Sequence, residues 1–317
     1  MKIFVTGGCG YKGSVLVPKL LALGHQITVF DIMWFGNNLK PHDMLDIITG
    51  DVRAIQKVNL AEFEVVIHLS SVANDPCGDL NPKLTWEVSA LATMLLAENA
   101  YKSGVKQFIY ASSGSVYGIK DEDQVTEDLS LEPISEYNKT KMVSEKVLLG
   151  YSDKMLIQMI RPATVCGFSS RMRLDVAVNL LTMQALTKNK ITVLGGDQTR
   201  PNIHIDDITD VYLHFISNPQ FTGVFNAGFE NISILDIANM VAKKTGAQIE
   251  IKASNDPRSY KINSDKLLAT GFRPSKTVDD AITEMIELYK DGVLEDIDEN
   301  YNLKWMQKHK LYNLENL

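Results

Sequence analysis

The sequence predicts an α/β fold: a doubly wound parallel sheet over residues 1–165, followed by a smaller mixed α/β lobe over residues 166–317. Two observations predict it. Short β-rich apolar runs alternate with amphipathic helical runs through the first half, as in a parallel sheet covered on both faces. The first of these units also places Gly7, Gly8, Gly10 and Gly13 between a strand and a helix.

Ile3–Val5 is the first strand, and Ser14–Leu23 carries Val15, Leu16, Leu20, Leu21 and Leu23 at helical spacing. Gln26–Phe30 is the second strand and ends on Asp31, 18 residues after Gly13. Strand, glycine loop, helix, strand and acid form a Rossmann-type dinucleotide fingerprint. Glycines let backbone approach a pyrophosphate, and the N-terminal N–H groups of the helix favour its charge. Gly7, Gly10, Tyr11, Lys12 and Gly13 are therefore expected at the cofactor. Asp31 can accept from ribose hydroxyls and would repel a 2′-phosphate. Residues 32–36 hold no cation to neutralise one, which predicts NAD rather than NADP.

Further strands are expected at Ile47–Thr49, Val65–Leu69, Gln107–Tyr110 and Met155–Ile160, the last closed by Arg161-Pro162. Helices are expected at Ile55–Phe63, Pro82–Lys102 and about Ser135–Leu149. Asp31, Asp51, Ser70 and Ser113 all follow strand ends, so they can meet at one sheet edge. Later come helices at Asp175–Thr187, up to Ser217, at 233–245 and at 277–290, with strands at Ile191–Leu194 and Val224–Ala227. Chain near residues 200–230 is expected to cross back toward the main sheet. The tail after Asp298 has aromatic and basic residues but no readable motif.

Composition narrows the partners. A net charge of −7 without a basic block argues against nucleic acid. Cys9, Cys77 and Cys166 show no paired spacing, so reduced thiols and no metal site are expected. Cys166 reads as a small core hydrophobe. The apolar runs are too short to span a bilayer and the first strand starts at residue 2, so a cytoplasmic protein without membrane contact is expected.

Tyr137 and Lys141 lie four residues apart, on one helix face. A nearby ammonium favours the phenolate, making Tyr137 a candidate base for a substrate hydroxyl. Such a pair is common by chance on a surface helix. Here it follows a dinucleotide fingerprint and lies 24 residues after Ser113, which can steady the reacting oxygen.

With these motifs the chain resembles the extended short-chain dehydrogenases/reductases of the nucleotide-sugar epimerase/dehydratase group. The resemblance rests on residues 6–13, Gly50–Arg53, His68–Ser71, Ser112–Gly118, Tyr137 with Lys141, and Arg200–Asp207, and runs to about residue 280. It implies that Asp51 and Val52 contact adenine, that Leu69, Ser70, Ser71 and Pro162 line the cofactor, and that Ser113, Tyr137 and Lys141 are catalytic. It implies that Arg200 and Arg258 hold a substrate diphosphate, and that the second lobe binds a nucleotide-diphosphate sugar. The Met33–Asn38 loop, Asn74-Asp75 and Arg171–Asp175 are candidates for shaping that pocket. Thr164 and Ser89 stand where the group usually has asparagine, the first of these touching substrate. Gly114 and Ser115 stand where its dehydratases carry an Asp-Glu pair, which disfavours loss of water. The expected reaction is oxidation at C4 of the sugar, leading to 4-epimerisation, with a C4 dehydrogenase that releases a keto sugar (from a GDP-sugar, for example) as the alternative. A non-catalytic NAD sensor is a more distant reading. The group often pairs as homodimers through two helices, one bearing the tyrosine.

Overall fold

The computed structural model describes residues 1–254 and 259–313. Its strands are β1 (Lys2–Thr6), β2 (Gln26–Asp31), β3 (Leu45–Thr49), β4 (Val65–His68), β5 (Gln107–Ala111), β6 (Leu156–Pro162), β7 (Thr164–Cys166), β8 (Lys190–Leu194), β9 (Thr199–His204), β10 (Gly223–Ala227), β11 (Glu230–Ser233) and β12 (Gln248–Lys252). The helices are α1 (Gly13–Ala22), α2 (Asp75–Leu80), α3 (Pro82–Trp86), α4 (Ala92–Lys102), α5 (Glu136–Leu149), α6 (Ala177–Lys188), α7 (Ile205–Ser217), α8 (Ile234–Thr245), α9 (Asp265–Ala269), α10 (Val278–Lys290) and α11 (Asn302–His309).

A seven-stranded parallel sheet runs β10-β6-β5-β4-β1-β2-β3. Both faces are covered, so β4 and β5 are buried along their whole length. Side chains alternate across the sheet. Ile3 and Val5 join Leu16, Leu20, Tyr212 and Phe215 on the α1/α7 side. Phe4 joins Leu96, Phe108 and Leu148 on the α4/α5 side. Strand order reverses between β1 and β4, which places a crevice at their carboxyl ends. β10 arrives late in the chain and pairs beside β6, Val224 opposite Met159.

The second lobe has a three-stranded sheet, β11-β9-β7, and a parallel pair, β12-β8. Ile191 and Val193 of β8 pack with Leu181, Ile237, Val241 and Ile282 from α6, α8 and α10. Among the described residues no helix is long and apolar enough to cross a membrane.

Two local readings differ from the sequence expectation. The helix expected at Ile55–Phe63 is a short 3₁₀ turn, Val52–Lys57. Asn99 ends it by donating its amide to the carbonyls of Ile55 (3.0 Å) and Val58 (2.9 Å), which takes acceptors that a continuing helix would use. The helix expected at Pro82–Lys102 is interrupted by a π turn at Glu87–Leu91. That turn aims the Ser89 hydroxyl at the Ser71 hydroxyl (3.0 Å) and the Val72 amide (3.3 Å).

Candidate active site

The carboxyl edge of the large sheet opens into a cleft of about 630 Å³ shared with the second lobe. The glycine loop forms its floor. Gly7 has φ +73°, and a Cβ there would fall 2.6 Å from the Ser70 amide nitrogen, so only glycine fits. A Cβ at Gly13 would fall 2.3 Å from the Gly8 carbonyl oxygen. The loop is thereby stripped of side chains where α1 begins; the Ser14 amide donates back to the Gly10 carbonyl and the Val15 and Leu16 amides to that of Lys12, so an anion would be met by the amides just ahead of them, at Tyr11–Gly13. Tyr11 ties this loop to the other lobe: its hydroxyl donates to the Gly167 carbonyl at 2.7 Å and accepts from the Asn179 amide at 3.1 Å. Burial and the neighbouring Arg173 guanidinium bring Lys12 down to about 8.

Asp31 closes the next section of wall. It accepts from the amides of Cys9 (2.9 Å) and Met33 (2.8 Å). Burial raises its pKa, while these two amides and the Arg171 charge oppose the rise. Asp51 caps the 3₁₀ turn and is gripped by Arg53 at 2.6 and 2.9 Å.

Across the cleft, Ser135 caps the start of α5 by accepting from the Asn138 amide at 3.1 Å, which fixes Tyr137 and Lys141 one turn apart. Lys141 is 2% exposed and donates to the Ala111 carbonyl at 2.7 Å. Burial and the charge of Lys12 hold it well below its ordinary pKa, with Glu145 pulling upward. Burial also raises Tyr137; the Ser113 hydroxyl and Arg173 pull it down, and Asp75 pushes it up. The Lys141 nitrogen sits 4.9 Å from the Tyr110 ring centre and 5.8 Å from that of Tyr137, and burial is the larger influence on the phenol. Ser113 is held by Ser115, hydroxyl to hydroxyl at 2.7 Å, and Ser115 donates onward to Asn138.

A buried network that sequence reading missed anchors this helix. Glu145, one turn beyond Lys141, pairs with Arg161 at 2.6 and 2.9 Å and accepts from the Ser112 hydroxyl at 2.5 Å. Arg161 donates to the Tyr117 hydroxyl at 2.6 Å, which donates to Asn226 at 2.7 Å. The chain of contacts links β5, α5, β6 and β10. Its sequence signal was an acid at helical spacing from Lys141 and an arginine ending a strand.

The second lobe contributes Thr164, Arg171, Arg173, Asp175 and Arg200 to the cleft. Arg173 holds Asp175 through two contacts, 2.9 and 3.1 Å, and Asn74 donates to the same carboxylate at 3.0 Å. Burial works against the charge of Asp175, but the guanidinium outweighs it and keeps the carboxyl below its ordinary range. Asn74 adopts φ +72°, a strained backbone for a non-glycine residue.

The expected residues converge. Gly7, Gly10, Tyr11, Lys12, Gly13, Asp31, Asp51, Val52, Leu69, Ser70, Ser71, Asn74, Ser113, Tyr137, Lys141, Pro162, Thr164, Asp175 and Arg200 all border this one cleft. Arg258 lies outside the described residues. Asn302 and Leu303 border the cleft as well and carried no motif in sequence.

The model of the NAD dependent epimerase/dehydratase family matches residues 3–228. The chain belongs to that family. Family membership makes NAD the cofactor, and the cleft fits one: its glycine cradle would be filled by any side chain, and the buried Trp34 Nε1 and Arg171 Nε donors beside Asp31 lack acceptors among the described residues. A UDP-glucose 4-epimerase of Mycolicibacterium smegmatis is 28% identical, with 92% of this chain and 99% of that protein covered. The UDP-glucuronic acid decarboxylase 1 of Danio rerio is 26% identical over 91% of this chain and 72% of its own length. Among solved structures, a UDP-glucuronic acid 4-epimerase from Bacillus cereus, in complex with UDP-glucuronic acid and NAD, has a TM-score of 0.80 at 27% identity and covers 92% of this chain and 99% of that one.

Proposed function

We propose that this epimerase/dehydratase family member reversibly oxidises C4 of a nucleotide-diphosphate sugar and returns it as the 4-epimer. One observation carries the reading: Ser113, Tyr137 and Lys141 meet at the sheet edge inside the cleft that also holds the glycine loop and Asp31. The names of the relatives support the substrate class.

Gly7, Gly10, Tyr11, Lys12 and Gly13 would hold the cofactor diphosphate, Asp31 its adenosine ribose, and Asp51 and Val52 its base. NAD, when bound, supplies a hydride acceptor and a positively charged nicotinamide. Ser113 orients the sugar hydroxyl. Tyr137 accepts its proton during oxidation and gives a proton back on reduction. Arg200 faces the substrate phosphates, where a guanidinium suits paired oxygens. Asn74, Thr164 and Asp175 shape the sugar pocket, and retention of the keto sugar there permits it to turn over.

Elimination of water is disfavoured because Gly114 and Ser115 carry no carboxyl to act as acid or base there. A Cβ at Gly114 would also press on Ile262 Cδ1 at 2.7 Å and on the Pro162 carbonyl oxygen at 3.1 Å. We also infer a homodimer through α4 and α5, because Leu91 just before α4, Met94 and Tyr101 on it and Leu149 on α5 stand 41–45% exposed.

Incubation with a panel of UDP-, GDP- and dTDP-sugars, followed by mass spectrometry and chromatography, tests the reaction. A new isomer of unchanged mass is expected. Loss of two hydrogens would make the protein a C4 dehydrogenase. Loss of water would contradict the reading of Gly114 and Ser115.

A further inference from the structure

We propose that α11 completes the adenosine end of the NAD site and acts as a strap that keeps the cofactor resident. The segment starts on the second lobe. The Leu174 amide donates to the Asn300 carbonyl at 2.7 Å, and Tyr301 packs with Tyr11, Met172 and Leu174. From there α11 crosses to the first domain. Met306, 2% exposed, enters the core that holds Phe4, Phe30 and Val52. The Trp305 indole donates to the Trp34 carbonyl at 2.8 Å, and Asn81 donates to the Tyr312 carbonyl at 2.7 Å.

Between these anchorages the strap faces the cleft. Asn302 and Leu303 border it together with Asp31, Gly50 and Val52. Asn302 accepts from Arg171 Nη2 at 2.6 Å, and that guanidinium stacks on Phe35 at 3.9 Å. The glycine loop fixes where a dinucleotide's phosphates lie, Asp31 fixes the direction of the adenosine ribose, and Tyr137 marks the opposite end. The strap therefore covers the base. A second observation marks the same wall: Arg171, 4% exposed, buries an Nε donor, and Trp34 an Nε1 donor, with no acceptor among the described residues. Both side chains border the cleft on this wall, where a nucleoside would bring its ring and hydroxyl acceptors.

The proposal rests on this cleft being the NAD site, and its readout is cofactor retention, so the sugar chemistry can fail without touching it. NADH release is followed by fluorescence after a chase with excess NAD. Leu303→Ala and Trp305→Phe are expected to release NADH about tenfold faster than the unaltered chain, with melting temperature checked in parallel. In the unaltered full-length protein, ADP-ribose is expected to slow hydrogen exchange across residues 302–309, and nicotinamide mononucleotide is expected to leave it unchanged. Should the variants not fold, the exchange experiment decides alone. Equal release rates in folded variants, or exchange insensitive to ADP-ribose, would overturn the strap.

Discussion

In the proposed reaction Tyr137 carries the proton and Lys12 holds the cofactor diphosphate. Tyr137→Phe removes the proton carrier and keeps the ring, so turnover is expected to fall by about 10²–10⁴-fold while NAD titration gives an unchanged affinity. Lys12 sets a pH dependence. Its pKa of about 8 means that it is protonated at neutral pH and loses its charge as pH rises through that value. The charged form is the one that attracts a diphosphate. NAD affinity is therefore expected to be level below about pH 8 and to weaken by up to about tenfold per unit above it, measured by calorimetry. Lys12→Met should flatten that profile and lower the affinity at neutral pH.

At the scale of elements, α5 is held by a buried ion pair whose loss is costly. Glu145 and Arg161 are 1% and 4% exposed. Glu145→Ala leaves the guanidinium charged and buried, with an expected cost of about 3–5 kcal/mol in denaturant unfolding. Glu145→Gln keeps the contact to Ser112 and should cost less. Strands β1, β4, β5 and β6 were legible in sequence because they are apolar runs buried on both faces, which periodicity reports directly. Elements whose ends are set by distant groups were not. The Val52–Lys57 turn stops where Asn99, more than forty positions away, takes its carbonyls, and no local pattern encodes that. β7, β9, β11 and β12 are short, half-polar strands without a strong period.

For the whole molecule, the exposed apolar side chains of α4 predict the assembly. Light scattering is expected to give twice the 35.4 kDa chain mass, and Leu91→Glu with Met94→Glu should return it to that of a single chain. The division of what could be read follows the chain's own path. Gly7–Gly13, Asp31, Ser113, Tyr137 and Lys141 were readable because each lies in a short local pattern, a glycine loop, a strand end or a single helical turn. Arg171, Trp34 and Asn302 meet only because a late segment returns across both lobes, and sequence spacing carries no trace of that encounter.

The π turn at Glu87–Leu91 has the geometry of one inserted residue absorbed within a single loop of helix. Excising Ala90 is expected to restore a regular helix while Leu96 and Ala100 keep their places against the sheet, so melting should change little. The hydroxyl pair between Ser89 and Ser71 would be broken, and cofactor affinity should drop. Fold and ligand recognition are written in separable letters along that helix, and a one-codon deletion is the means to read them apart.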